Sequence, residues 1–275
     1  MRAPIVLAAV LALACSKKEP APAERKEPWL AKPPDASAAL RAKYVLSDRC
    51  EAKVELKAKE GTPRGAFRVC RGELDLNLGD LADSRGTLAV DVASIEIGGG
   101  DAGRDDQRTQ EAQNWLDVGA SRPEAERERL RWATFTLTGI TDPSATAAHA
   151  GRRERVEPDA EEPALPPDDD GGQPTSERRS VTMTARGQLQ LHRVRVEVEV
   201  PIRVSFRFAG RAAPELAPEK LQLTTRRPVV VSLTAHDIKP RDAAGVFQAQ
   251  GMKLLGTQVG TDARVSLSAS ALLKK

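Results

Sequence analysis

Between Val194 and Phe208 the chain reads VRVEVEVPIRVSFRF, with Val194, Val196, Val198, Val200, Ile202, Val204, Phe206 and Phe208 at every second position. Arg195, Glu197, Glu199, Arg203, Ser205 and Arg207 fill the alternate places. Strand side chains point to the two faces in turn, so this is a ribbon with one apolar and one charged side. At a rise of about 3.3 Å per residue it reaches about 50 Å, well beyond an ordinary strand of about 5–6 residues. Tilted, bending barrel strands use such a length more easily than a flat sheet does. Pro201 falls on the charged side and lacks an N–H, which predicts an edge position, a bulge or a split into two strands.

The same two-residue period recurs along the chain. A domain is expected to start near Tyr44, with a first strand over Cys50–Ala58 carrying Ala52, Val54 and Leu56 inward. Gly61-Thr62-Pro63 turns the chain into a second strand from Phe67, whose parity slips at Gly72 before Leu74, Leu76 and Leu78, the pattern of a bulge or barrel corner. Leu88, Val90 and Val92 make a third, with Ile95 and Ile97 shifted by one position. The period then changes: Ala112, Trp115 and Leu116 are spaced i, i+3, i+4 between Arg104 and Val118, so a short helix is expected, capped at Gly119. Leu130–Ile140 is the next strand, then Val181 to Leu191, a tight turn or kink at His192, the long ribbon, Leu221 and Leu223, Val229 to Leu233, and a closing strand from Val265 to Ala271. Eight to ten antiparallel strands with one helix imply an all-β barrel or sandwich.

Three stretches carry no such period. Residues 16–43 are rich in proline and charge and read as a disordered tether. Residues 142–179 mix Glu157, Asp159, Glu161, Glu162 and Asp168–Asp170 with Pro158, Pro163, Pro166, Pro167 and Pro174 and read as a disordered acidic insertion, its carboxylates at no EF-hand spacing. Residues 1–15, MRAPIVLAAVLALAC, have a basic start, a short apolar run and a small residue before Cys15, which is the anatomy of a secretory signal. An apolar run of about ten residues is too short to span about 30 Å of hydrocarbon. Cysteine directly after Leu11-Ala12-Leu13-Ala14 resembles the lipobox of bacterial lipoproteins, which implies acylation of Cys15 and a membrane anchor. The alternative is an ordinary cleaved signal with a chance cysteine. Ser16 at the next position, by analogy with enterobacterial lipoproteins, points to a periplasm-facing place on the outer membrane of the cell envelope.

Composition narrows the functional classes. Of 275 residues, 40% are hydrophobic but only 3% aromatic, so the core must be built from Val, Leu, Ile and Ala. The 42 basic and 39 acidic residues nearly cancel and form no basic face with interleaved aromatics, which argues against nucleic acid. In an oxidising compartment Cys50 and Cys70 are expected to pair, closing a loop of about 20 residues for about 3 kcal/mol, against the alternative of two free thiols. No G-x-S-x-G elbow, Walker loop or H-E-x-x-H occurs. Gly98–Gly100 reads as a hairpin-like run rather than a phosphate cradle. His149 falls in the insertion, and His192 and His236 read as turn and loop residues, so no enzyme, metal site or cofactor is expected.

The order of Gly72-Glu73-Leu74-Asp75-Leu76, Leu88-Ala89-Val90-Asp91-Val92-Ala93-Ser94-Ile95, Asn114-Trp115-Leu116-Asp117-Val118, Ala133-Thr134-Phe135 and Gly187-Gln188-Leu189-Gln190-Leu191-His192 resembles the YceI-like family from about Tyr44 to Leu273. That resemblance implies a lipocalin-like antiparallel barrel of eight strands with a helix, its apolar interior holding a polyisoprenoid chain. It transfers no catalytic residue. The sequence departs from the family at the head of the helix, Arg104-Asp105-Asp106-Gln107-Arg108, and in having Arg193 where a glycine usually follows the histidine. The expected wall of the ligand cavity is Phe67, Trp115, Phe135, Phe206 and Phe208; the alternative is a filled barrel serving as a structural or interaction module of the envelope.

Overall fold

The computed structural model describes residues 40–58, 62–98, 102–154, 176–242, 244–248, 253–254 and 257–274. The signal segment with Cys15, the tether as far as residue 39 and residues 155–175 of the acidic insertion lie outside the described residues.

The alternating ribbon is a single strand, β9 (Val194–Phe208), paired along its whole length with β8 (Glu177–Leu191) from Leu191↔Val194 to Glu177↔Phe208. His192 and Arg193, with φ of +52° and +68°, make the two-residue connection, so Arg193 holds without glycine the left-handed geometry that such tight hairpins demand. Pro201 neither splits nor bulges the strand. It marks where one edge loses its partner: β10 (Lys220–Thr225) pairs with β9 only from Arg207 to Ile202.

From β8 the sheet continues through β6 (Trp132–Thr141), β4 (Arg85–Asp91) and β3 (Cys70–Asn77) to β1 (Arg41–Ala58). The ring closes because β13 (Thr257–Leu273) pairs with β1 on one side and β10 on the other. Eight strands, β1, β3, β4, β6, β8, β9, β10 and β13, thus form an antiparallel barrel. Short strands extend it where the long ones outrun their first partners. Beyond β3, β1 pairs β2 (Arg64–Phe67), which pairs β5 (Ile95–Gly98). Beyond β10, β13 pairs β11 (Val229–Ser232), and β12 (Lys253–Leu254) joins its start.

The corner between β2 and β3 falls at Arg68-Val69, not at Gly72, which lies inside β3 where a Cβ would come within 2.2 Å of the Thr87 carbonyl oxygen. The matching bend in β1 is an irregularity in its pairing with β13 between Leu46 and Cys50. Cys50 and Cys70 are disulfide-bonded across that corner, Cα atoms 5.8 Å apart. The expected insertion is partly structured: Ala148–Ala150 form a 3-10 turn with Ala148 buried, β7 (Arg152–Glu154) adds to the edge of β8, and β8 already begins at Glu177.

Among the described residues two α-helices follow β5, one more than expected. The first, α1 (Ala102–Trp115), ends in a Schellman arrangement, Val118 N–H to Gln113 O and Asp117 N–H to Asn114 O, with Asp117 itself at φ +56°. Asp117 therefore takes the capping place expected of Gly119, whose missing side chain instead makes room for Asn114 Oδ1, 2.0 Å from where a Cβ would stand. The second, α2 (Glu124–Leu130), buries no side chain and so shows no apolar period. Its signs are Pro123 at the start, Glu124 and Glu126 in the first turn and Arg127 and Arg129 in the last, charges that suit the helix dipole.

Candidate functional site

Inward-facing residues separate into two groups along the barrel axis. At one end Tyr44, Leu74, Leu76, Val181, Met183, Val204, Phe206, Phe208 and Leu221 interdigitate and are all buried. The Tyr44 hydroxyl donates to the Pro218 carbonyl at 2.9 Å, and burial pushes its pKa well up, so it stays a neutral donor. Glu177, also inside this end, accepts from the backbone N–H of Ala212, which with Arg179 and Arg153 beside it holds the carboxyl below its usual range.

Further along the same strands the interior is empty. A cavity of about 260 Å³ runs beside Ala185 to Leu191 on β8, about 20 Å of strand. Its wall includes Val54, Leu88, Val198, Val200, Val231 and Val265, and no wall residue is charged. Phe67, Trp115 and Phe135 line it. Phe206 and Phe208 do not: their parity is inward as read, but they belong to the packed cluster that includes Tyr44 and Leu221 and are 0% and 1% exposed. The aliphatic wall was missed as a site because valine and leucine at inward positions look the same whether they border a core or a void. Phe135 lies over Gly187, where a Cβ would come within 2.6 Å of the ring, so that glycine lets the aromatic lie flat in the wall.

The far end is closed by α1 and by the loop after β11. Ala112 and Trp115 face inward with Leu233 and Ile238, and the Trp115 indole N–H donates to the Arg241 carbonyl at 2.7 Å. Asn114 donates to the Asp242 carbonyl at 3.0 Å. Behind this lid sits Asp117, receiving Arg122 Nη2 at 2.7 Å and His192 Nε2 at 2.8 Å, with Arg241 Nε 3.1 Å away. Burial works to raise its pKa, but the hydrogen bonds from Arg122 and His192 and the charge of Arg241 outweigh it and hold the carboxyl below the usual range. One carboxylate thereby clips together the end of α1, the turn between β8 and β9 and the loop after β11. His192, expected as a turn residue, is that, and a partner of this cluster as well.

Nothing in this arrangement supplies a nucleophile beside a base in contact with the cavity. Among the described residues no group of three or more His, Cys, Asp or Glu is placed to hold a metal ion. Gly98, Gly100 and Gly103 do carry the spacing G-x-G-x-x-G at the opening of α1. That fingerprint binds dinucleotides from a parallel βαβ unit, whereas β5 pairs antiparallel with β2.

Residues 47–271 match the YceI-like domain family. Among solved structures, the chain resembles a polyisoprenoid binding domain from Saccharophagus degradans implicated in plant cell wall breakdown, at TM-score 0.49 and 13% identity over 86% of this chain and 100% of that one. It also resembles Burkholderia cenocepacia BcnA, at TM-score 0.47 and 13% identity over 80% of this chain and 95% of that one. No curated protein sequence matches it.

Proposed function

The chain belongs to the YceI-like domain family, and from that premise we propose that its barrel holds a long apolar ligand, isoprenoid-like in character, and binds or carries it without chemical change. The observation that carries the reading is the cavity. Voids left in protein cores cost about 24 cal/mol per Å³, so 260 Å³ of unfilled apolar space corresponds to roughly 6 kcal/mol of forgone packing. Total stabilities are about 5–15 kcal/mol, and a defect of that size is out of proportion unless something fills it. Water is a poor filler, since a buried water needs two to four polar partners and this wall has almost none. An apolar chain restores the missing contacts and gains about 25 cal/mol for each Å² taken out of water.

The reading extends to placement. Cys15, acylated at the end of a signal segment, would tether the barrel through the residues from Ser16 to the start of β1 at Arg41, short of the expected end of the tether at Lys43, to a membrane of the bacterial envelope, where insoluble lipids are exchanged. The rival, a structural or interaction module, has no use for a void. Native mass spectrometry of the Cys15→Ser protein without residues 1–14 separates the two: a co-purifying apolar adduct is expected, and a clean apoprotein that also refuses added isoprenoids would reject the carrier.

A further inference from the structure

The loop that closes the hollow has a second face. Val246 and Phe247, which follow its inward residues Leu233 and Ile238, are 59% and 53% exposed, and with Val230 they are the most exposed large apolar side chains among the described residues. Their exposure is built in. The Ala244 and Val246 N–H groups donate to Asp242 Oδ1 at 3.0 and 2.9 Å and Gln248 Nε2 to Asp242 Oδ2 at 3.0 Å, while the Asp242 N–H reaches the Val246 carbonyl at 3.0 Å. Gly245, at φ +80°, turns the tip against the connection between the helices, where a Cβ would stand 2.5 Å from Ser121 Oγ. The two apolar side chains therefore stand on a closed turn, a few residues beyond the Arg241 and Asp242 carbonyls that Trp115 and Asn114 hold.

The charges of the loop narrow what can cover this tip. Between Asp237 and Gln248, Lys239 is held by Asp237 at 3.2 Å, Arg241 by Asp117 at 3.1 Å, and Asp242 by its own loop. Neither sign is left over to recruit a charged partner, so the contact on offer is apolar. The tether points to the occupant. With its anchor at Cys15 in a bilayer, the chain enters the barrel at Arg41, which pairs with Asn77 at the packed end. Residues 16–40 reach about 80 Å at about 3.3 Å each, against about 50 Å for the length of β9, so the far end of the barrel can be brought down onto the same membrane. Two apolar side chains make a weak contact by themselves. Anchoring makes the encounter intramolecular, at an effective concentration on the order of mM, and a weak contact then suffices.

We propose that Val246 and Phe247 dock the lid onto the surface of the bilayer that carries the anchor, so that the hollow opens against lipid rather than water. The proposal rests on the anchored reading, but docking is measured on the empty protein, apart from whether the hollow holds a ligand. The chain has three cysteines and Cys50 is bonded to Cys70, which leaves Cys15 as the coupling thiol. The chain from Cys15 onward is coupled through it to phosphatidylcholine vesicles bearing maleimide, which replace the acyl anchor. On coupling, amide exchange at Val246, Phe247 and Gln248 is expected to slow about tenfold, equally at low and high salt, with no change beside the exposed Val45 and Leu272 at the packed end. The double variant Val246→Ser, Phe247→Ser loses that protection while its thermal denaturation stays that of the parent, since neither side chain is in the core. Protection that is absent in the coupled parent, that survives the double variant, or that appears at Val45 and Leu272 instead overturns the docking. So does a dimer of the uncoupled chain that the double variant dissolves, which gives the tip to a second copy. None of these outcomes touches the carrier reading, which the native mass spectrum decides.

Discussion

One strand passes through two different interiors. On β9, Val204, Phe206 and Phe208 are 4%, 0% and 1% exposed, whereas Val198, Val200 and Ile202 on the same face are only partly covered because they border a void. The alternation is the same on both halves. What differs is the partner across the barrel. Tyr44, Leu74, Met183 and Leu221 converge on the phenylalanines, while Ala52, Ala133, Ala185 and Gly187 stand back from the valines. Strand parity decides that a side chain points in. Whether it meets another depends on volumes contributed by residues far apart in sequence.

The largest test of this contrast is deletion of one aromatic from each half. Phe206→Ala opens a cavity inside packed core and is expected to cost about 3–5 kcal/mol. Phe135→Ala merely enlarges a space already empty and loses the contacts over Gly187, about 1–2 kcal/mol of partial burial. Paired urea denaturation curves check both values. Equal losses at the two positions would mean that the hollow half is packed in solution as tightly as the other.

Much of this was legible in the chain. The inward residues of β8, β9, β13 and the second half of β1, the helix carrying Trp115 and the hairpin at His192 follow from period and turn chemistry, and the cysteine pair from the expected compartment; the start of β1, from Arg41 to Lys43, reads as tether. The misreadings share a physical cause. Phe206 and Phe208 were placed in the cavity wall because their direction is encoded locally and their neighbours are not. Asp117 was not expected to cap α1, since its left-handed geometry is made tolerable by Arg122, His192 and Arg241, which arrive from elsewhere. Residues 152–154 carry too few side chains for a period, and β7 exists because the edge of β8 offers it a template. The end of the pairing between β9 and β10 had a signal, Pro201 on the charged side of a long strand, but which partner is lost there depends on β10 and β11 both lying along β13, which no local pattern encodes.

A second, smaller effect sharpens the contrast from the opposite direction. Val204→Phe forces volume into a filled space and is expected to cost about 1–3 kcal/mol. Val198→Phe, six residues away on the same face, puts the same volume into the void and is expected to leave stability unchanged or raise it by up to about 1 kcal/mol, while weakening ligand binding by about tenfold. Thermal denaturation read beside isoprenoid binding distinguishes them. Destabilisation at Val198 without loss of binding would place the ligand elsewhere.

The smallest expected effect separates the ways the two ends are closed. His236, 2% exposed, hydrogen-bonds the backbone at Leu191 and Val194 and so ties the loop after β11 to the turn beyond β8; its Nδ1 has no partner. Burial lowers its pKa below the ordinary 6.5, with the charge of nearby His192 acting the same way and the two backbone bonds opposing. The neutral ring is therefore the folded form. As pH falls through 6.5 the unfolded chain takes up a proton that the folded chain refuses, so this contribution is full above 6.5 and is lost as pH drops toward the lowered value. The carboxylates Asp117 and Glu177 are held below their own ordinary values of 3.8 and 4.5, and what they contribute is lost only at still lower pH. As pH falls below 6.5, and before the two carboxylates titrate, the hollow end alone should loosen, with faster amide exchange in the loop after β11 and at the end of α1 and unchanged exchange around Tyr44 and Phe206. His236→Gln, which keeps a donor for the backbone and removes the titration, should flatten that dependence. An identical pH slope in the variant, or loosening at both ends together, would show that the two halves open as one unit.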